Sequence, residues 1–237
     1  MLARMRRDVL AVLERDPAAR SAWEVALLYP GVHAVWAHRA SHWLWARGAH
    51  LPARAVSQAA RAVTGVEIHP AATLGEGLFI DHGMGVVIGE TAQVGDDVTI
   101  YHGVTLGGTS LEQGKRHPTI GDRVTIGAGA KVLGALDVGH DSRIGANAVL
   151  VRSVEDNSVV VGVPGQVIAR TRKHTAADRP DLDNAVVPDP VGSAVQSLLA
   201  RVEALEDQLS AHTDRSSRDD VRMVEVGMWE SAYDFSI

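Results

Sequence analysis

The feature that most constrains the fold is an aliphatic residue that recurs every six positions. Fourteen such positions hold Ile, Leu or Val, and eight of them are followed directly by Gly. A period of six fits neither an α-helix nor an alternating strand, and it is typical of a hexapeptide-repeat solenoid. We therefore predict a parallel β-helix in which three units close one coil and the aliphatic side chains line its axis. The positions are Ile68, Leu74, Ile80, Val86, Ile88, Val94, Ile100, Leu106, Ile120, Ile126, Val132, Val138, Ile144 and Leu150.

Two insertions interrupt this period. The first adds two residues near Val86–Val87, and the second is the glycine-rich segment Gly107–Thr119, which carries Lys115, Arg116 and His117. A solenoid accepts an insertion only where the extra residues project outward as a loop. From the sequence alone, the longer segment is either a surface loop without a role or a loop that serves a site.

The residues on either side of the repeat have other patterns, so the chain is predicted to be α+β. Residues 1–65 are predicted to form an N-terminal helical domain, and residues 66–170 the β-helix domain. A linker, a short heptad helix and a tail are expected over residues 171–237. The predicted N-terminal helices are Arg4–Glu14, one beginning near Pro17, one over Val32–Arg47 and one over Pro52–Thr64. The heptad positions Val191, Val195, Leu198, Val202, Leu205 and Leu209 predict a helix that associates within an oligomer, with a helix packed back on the β-helix as the alternative.

The composition excludes several classes of function. The chain has no cysteine, which rules out disulfides, thiolate nucleophiles and an acyl-cysteine intermediate. A net charge of −6 without a basic cluster argues against a nucleic-acid partner. Neither a signal-peptide pattern nor a run of about 18 apolar residues occurs, so no membrane partner is expected. These observations predict a cytoplasmic protein.

Two histidines occupy equivalent places in the repeat. His82 and His102 each take the third place of a hexad, so His102 lies one coil beyond His82 if the two-residue insertion loops out. Histidine can remove a proton from an alcohol near neutral pH when a carboxylate orients its other nitrogen. Glu67 and Asp81 are the candidate carboxylates. A histidine with only a structural role, or one that is merely exposed, is the alternative.

A metal site is a second alternative for these histidines. Carbonic anhydrases of a metal-binding β-helix class use three histidines, two of which lie about five residues apart on one turn. The corresponding position after His117 is Asp122. The sequence therefore favours a site without a metal.

Several segments, taken together and in order, resemble bacterial serine acetyltransferases. They are the helical run that begins RDPAARSAWEV, the DHG motif, the GKRHP loop and the VVGVPG segment, within a resemblance that extends from about Arg15 to Val167. A hexapeptide repeat alone would fit sugar, lipid A and xenobiotic acyltransferases equally well. The resemblance implies a left-handed β-helix that forms a homotrimer, with active sites between neighbouring subunits and a dimer of trimers as the alternative.

The resemblance also implies an activity. Members of this family transfer the acetyl group of acetyl-CoA to the hydroxyl of L-serine, which is the first step of cysteine biosynthesis from serine. In that reaction His82 matches the general base, and Glu67 matches the carboxylate that orients it, where the family often has the shorter Asp. An O-acetyltransferase for a sugar or for homoserine, and a non-catalytic scaffold, are the alternative functions.

The remaining roles follow from the same resemblance. Asp16 and Asp81 match residues that hold the ammonium and hydroxyl end of serine, and Arg116 and His117 match those that receive its carboxylate. Small residues that let coenzyme A approach the main chain are expected at Gly108, Ala128 and Ala146. The C-terminal tail, which ends in Ile237, matches the segment that binds O-acetylserine sulfhydrylase.

Overall fold

The computed structural model describes residues 2–170 and 190–216, and these belong to two compact units. The first unit begins with four helices, which are α1 (Leu2–Arg15), α2 (Ala22–Leu28), α3 (Pro30–Trp45) and α4 (His50–Thr64). Fifteen short strands follow in the same unit, and the second unit contributes one helix, α5 (Pro190–Ser216). The strands are β1 (Glu67–Ile68), β2 (Thr73–Leu74), β3 (Phe79–Asp81), β4 (Val87–Ile88), β5 (Gln93–Val94), β6 (Thr99–Tyr101), β7 (Thr105–Gly107), β8 (Thr119–Ile120), β9 (Thr125–Ile126), β10 (Lys131–Leu133), β11 (Asp137–Val138), β12 (Arg143–Ile144), β13 (Val149–Leu150), β14 (Ser158–Val161) and β15 (Gln166–Arg170).

The strands stack into three sheets, which form the three faces of a solenoid. Face A consists of β1, β4, β7, β10 and β13, and face B consists of β2, β5, β8 and β11. Face C consists of β3, β6, β9, β12, β14 and β15, and its last pair, β14 with β15, is antiparallel while the other named pairs are parallel. The parallel β-helix that the period of six predicts is therefore confirmed.

The periodic aliphatic residues fill the axis of this solenoid. Thirteen of the fourteen predicted positions are buried, and Leu74 is half-buried. A second inward position lies two residues before most of them and is also buried, as at Val66, Ala72 and Leu78. Close packing along the whole axis makes the coils a rigid frame, because core side chains leave few gaps. Because the interior is filled, a site has to be built from outward-facing residues, such as those of the corners between faces and of the insertions.

The second helix begins later than the sequence predicts. Pro17 lies in a turn, where the Oδ1 of Asp16 accepts a hydrogen bond of 2.8 Å from the N–H of Ala18. The N-cap of α2 is Ser21, whose Oγ accepts the N–H of Glu24 at 3.2 Å. The prediction of a start near Pro17 is wrong because this serine satisfies the first turn of the helix.

Two contacts dock the helices on the first coils. A Cβ at Gly31 would lie 2.1 Å from the carbonyl oxygen of Ile80, so only glycine lets the start of α3 approach β3 this closely. At the end of α1, the buried guanidinium of Arg15 donates hydrogen bonds to the carbonyl of Gly77 at 3.0 Å and to Asp97 at 2.7 Å. These contacts place the end of α1 and the start of α3 beside the end of β3.

The helix predicted from the heptad positions is present as α5. Among its heptad residues with described side chains, Val195, Leu198, Val202, Leu205 and Leu209 are between 48% and 66% exposed. The helix is therefore confirmed, and its association within an oligomer stays a prediction.

Candidate functional site

The two-residue insertion lies at His82–Gly83, in the corner between faces C and A, and not near Val86–Val87 as predicted. Asp81 pairs with Tyr101 in register before the corner, and Val87 pairs with Thr105 after it. Within the corner, the N–H of Gly103 donates to the carbonyl of Met84 at 2.8 Å, so Met84 holds the place next to His102 in the adjacent coil. His82 therefore lies in the extra loop. Counting every sixth residue could not locate the insertion, because Val86, which the count assigns to the core, is buried there.

The insertion projects the imidazole of His82 out of the coil. Its backbone is left-handed, with φ of 58°, and the tight turn is closed by the N–H of Gly83, which donates to the carbonyl of Asp81 at 2.7 Å. The side chain is 75% exposed. Its Nε2 lies 3.8 Å from Oδ2 of Asp81, and its ring meets that of His102 edge to face, with 5.8 Å between the centroids. An accessible imidazole thus stands beside a carboxylate and a second imidazole.

Two carboxylates, one from a helix and one from the coil, face this corner. Oδ2 of Asp16 accepts a hydrogen bond of 2.7 Å from the hydroxyl of Tyr29. Desolvation, followed by this bond to Asp16, raises the pKa of Tyr29 to about 12, so the phenol keeps its proton. Burial raises the pKa of Asp81, and the charge of Asp16 raises it further against the opposing effect of His82. Two carboxylates that feel each other's charge favour binding of a cationic group such as an ammonium.

Glu67 lies next to this corner but is paired elsewhere. It begins β1, and its Oε2 lies 3.2 Å from Nε of Arg61 on α4. Within residues 2–170, no hydrogen bond or ion pair joins Glu67 to His82, and the carboxylate nearest the imidazole belongs to Asp81. The orienting role predicted for Glu67 stays a prediction.

A second polar cluster lies at the corner between faces A and B. It contains Arg116 and His117, which end the long insertion between β7 and β8. The guanidinium of Arg116 is ion-paired with Glu90, and this hydrogen bond holds the pKa of Glu90 below its usual value. The ammonium of Lys115 donates to the carbonyl of Thr91 at 2.9 Å. The insertion is therefore tied to the turn that follows β4, so it is not a free surface loop.

The imidazole of His117 is enclosed and neutral. Only 8% of the residue is exposed, and burial, together with the charge of Arg116, lowers its pKa. A Cβ at Gly89 would lie 2.1 Å from its Nε2, and one at Gly108 would lie 3.3 Å from the same atom. The ring thus fits between two glycines. A cationic guanidinium beside a neutral imidazole with an N–H donor suits a carboxylate ligand.

The two clusters lie at opposite ends of the strands of face A. His82 joins face C to face A, whereas Arg116 and His117 join face A to face B. The structure of one chain therefore brings Asp16, Asp81 and His82 together but does not bring Arg116 and His117 to them.

The residues predicted to contact coenzyme A are divided between the same two edges of face A. The N–H of Gly129 donates to the carbonyl of His102 at 2.9 Å, and the N–H of Asn147 donates to that of Ala128 at 2.8 Å. His102, Ala128 and Ala146 therefore stack along the edge between faces C and A. Gly108 lies at the other edge, where its absent Cβ would be 3.1 Å from the carbonyl oxygen of Arg116.

Sequence reasoning missed three residues of these clusters, Tyr29, Glu90 and Thr91. None belongs to a local motif, since each reaches its partner through the fold, from 13 residues away for Tyr29 and from 26 for the others. Within the described ranges, no three His, Asp or Glu side chains converge as a metal ion would require. In the same residues, no helix is long and apolar enough to cross a membrane.

Comparison with known proteins identifies the family. Residues 117–152 match the bacterial transferase hexapeptide family (six repeats). The serine acetyltransferase of Mycobacterium tuberculosis is 56% identical over 237 residues, which is 100% of both chains. The structure of Neisseria gonorrhoeae serine acetyltransferase in complex with serine has a TM-score of 0.69 at 45% identity and covers 71% of this chain and 69% of that one. That of the Brucella abortus enzyme in complex with coenzyme A has a TM-score of 0.71 at 46% identity, over 72% and 68%. This chain belongs to the serine acetyltransferase family.

Proposed function

We propose that this chain transfers the acetyl group of acetyl-CoA to the hydroxyl of L-serine, releasing CoA and O-acetyl-L-serine. The observation that carries this proposal is the 56% identity to a serine acetyltransferase over the whole of both chains. Solved relatives at 45% and 46% identity are described in complex with serine and with coenzyme A. The reaction places this chain at the first step of cysteine biosynthesis from serine, and a cytoplasmic location stays a prediction from composition.

In the proposed mechanism, His82 is the general base. The imidazole takes the proton of the serine hydroxyl as the oxygen attacks the thioester carbonyl, and Asp81 stabilises the imidazolium that forms. The tetrahedral intermediate then collapses, the carbon–sulfur bond breaks, and the CoA thiolate takes up a proton. Transfer is proposed to be direct, since the chain has no cysteine to carry the acetyl group and no G-x-S-x-G elbow to present a serine nucleophile. Glu67, whose Oε2 lies 3.2 Å from Nε of Arg61, is proposed to orient the imidazole of His82, as the family resemblance implies.

The charges of the two clusters match the two ends of a zwitterionic amino acid. Asp16 and Asp81 are proposed to bind the ammonium group, and Arg116 and His117 to bind the carboxylate. Because these groups lie at opposite ends of face A, one chain cannot offer both to a single serine. We therefore propose a homotrimer in which the corner of one subunit that carries His82 meets the corner of the next that carries Arg116.

Coenzyme A is proposed to lie in the cleft between the same two subunits. Ala128 and Ala146 continue the edge that begins with His82 and His102, and their small side chains let a ligand approach the main chain. Gly108 would line the opposite wall of the cleft, beside Arg116 and His117. This arrangement brings the thioester to the serine hydroxyl without a metal.

A CoA-release assay with L-serine, L-homoserine and a galactoside as acceptors tests the proposed activity. Turnover with L-serine should exceed that with either alternative by at least tenfold, since the extra methylene of homoserine shifts its hydroxyl away from His82. Equal or faster release with homoserine or the galactoside would assign the chain to another acceptor. No release above the acceptor-free control would favour a non-catalytic scaffold.

We also propose that O-acetylserine sulfhydrylase binds the C-terminal tail. Ile237 lies outside the described residues, and the proposal is supported by the family resemblance of the tail. Deletion of Ile237 should weaken sulfhydrylase binding about thirtyfold, because a buried terminal anchor dominates such an interface. Titration calorimetry measures the affinity for the sulfhydrylase, with Ser236→Ala as the control. The kcat for acetyl transfer should be unchanged by the deletion. Binding of the deletion variant as tight as that of the full chain would contradict the proposal.

A further inference from the structure

Thr91 organises the end of the long insertion. Its Oγ1 accepts the backbone N–H groups of both Arg116 and His117, each at 3.0 Å. Its carbonyl accepts the ammonium of Lys115 at 2.9 Å. Three consecutive residues of the insertion are therefore held by one residue of the turn after β4, and the hydroxyl is responsible for two of the three bonds.

The same residue determines which nitrogen of His117 carries the proton. The backbone N–H of Thr91 donates to Nδ1 of His117 over 3.2 Å, and its hydroxyl lies 2.9 Å from the same atom. A backbone N–H can only donate, so Nδ1 must present its lone pair. The proton of the neutral ring is therefore on Nε2. Protonation of Nδ1 would set two donors against each other, which agrees with the lowered pKa of His117.

Nε2, the nitrogen of His117 that carries the proton, is available to a ligand. Nε2 of His117 lies against Gly89 and Gly108, which carry no side chains. No hydrogen bond to this atom occurs within residues 2–170, while Nδ1 is fully engaged by Thr91. An enclosed imidazole with one open N–H donor beside Arg116 matches a carboxylate oxygen.

We infer that Thr91 is a positioning residue, which locks His117 as a neutral Nε2–H donor and holds Arg116 beside it for the substrate carboxylate. The part of this inference that concerns the carboxylate rests on the proposed function. The tautomer and the hydroxyl-held backbone depend on the geometry of the chain alone, and they can be measured without turnover.

Kinetics of Thr91→Val and Thr91→Ser test the role in binding. Valine keeps the shape but leaves two backbone N–H groups without their acceptor, whereas serine keeps the hydroxyl. The KM for L-serine should rise between about tenfold and 100-fold in Thr91→Val and return to within about threefold of the wild-type value in Thr91→Ser. The KM for acetyl-CoA should change less than about twofold in both. An unchanged KM for L-serine in Thr91→Val, or an equal loss in both variants, would overturn the inference.

Nitrogen-15 spectra of histidine-labelled protein test the tautomer directly. The His117 resonances, assigned by their loss in His117→Gln, should show an unprotonated Nδ1 and a protonated Nε2 at pH 7. Amide hydrogen exchange of Arg116 and His117 should be at least tenfold faster in Thr91→Val than in Thr91→Ser. A proton on Nδ1, or unchanged exchange, would overturn the inference. An absence of serine turnover in the wild-type chain would overturn the proposed function instead, and these two measurements would still be decisive.

Discussion

Replacement of His82 by alanine lowers kcat for acetyl transfer to L-serine by a factor on the order of 100 or more, because the reaction loses its general base. The imidazole is accessible, projects from an insertion in the coil and stands 3.8 Å from a carboxylate oxygen of Asp81. Its removal leaves both substrate-binding clusters in place, so the KM for serine should change far less than kcat. Steady-state kinetics at saturating acetyl-CoA measure both constants.

The matched control for this experiment is His140→Ala. His140 also lies in a corner of the solenoid, where its Nδ1 accepts the backbone N–H of Asp122 at 2.9 Å and lies 3.3 Å from Oδ2 of the same residue, without the Asp16 and His102 that flank His82. Its replacement should leave kcat within about twofold of the wild-type value. A His82→Ala enzyme as active as His140→Ala would show that His82 is not the base.

Replacement of Arg116 by alanine raises the KM for L-serine on the order of 100-fold, because a carboxylate loses a charged donor. The substitution also leaves Glu90 without the guanidinium that holds its pKa low. The freed carboxylate of Glu90 would then repel the carboxylate of serine. Arg116→Lys should recover part of the loss, since lysine restores the charge but cannot reproduce the planar fork of arginine.

Arg123→Ala is the control for this second prediction. Nε of Arg123 is 2.7 Å from Asp141 in an ion pair of the same kind, which lies at the corner between faces B and C. Its loss should change stability but not the KM for serine. If Arg116→Ala and Arg123→Ala gave the same KM, Arg116 would have no role in binding the substrate.

The fold was predictable because the same aliphatic position recurs in every unit of the repeat. A residue such as Ile126 or Val132 means little alone, but a branched aliphatic side chain at every sixth position must point to one axis. The helices were predictable as elements, whereas their docking was not. Gly31 reads as a break after Pro30, and only the structure reveals that its missing Cβ lets α3 touch the carbonyl of Ile80.

The site was less predictable because its residues lie in the corners of the solenoid, where insertions interrupt the period of six. Counting every sixth residue correctly assigned Val86 to the core. For that reason the count placed the two-residue insertion after His82, whereas the insertion includes His82 and moves it out of the coil. The resemblance supplied Asp16, Arg116 and His117 as separate residues. Their division between two edges depends on which faces each corner joins, and no local pattern carries that information. Nor does any motif show that Glu67 is paired with Arg61 or that Thr91 holds His117.

A mixed trimer of His82→Ala and Arg116→Ala subunits tests most directly whether the active site is shared between subunits. The two variants would be coexpressed with different affinity tags and purified through both tags in succession. If one subunit supplies His82 and its neighbour supplies Arg116, every mixed trimer contains one junction at which both residues are intact, and about one third of wild-type activity should return. Activity no higher than that of the two variants assayed separately would contradict a site shared between subunits.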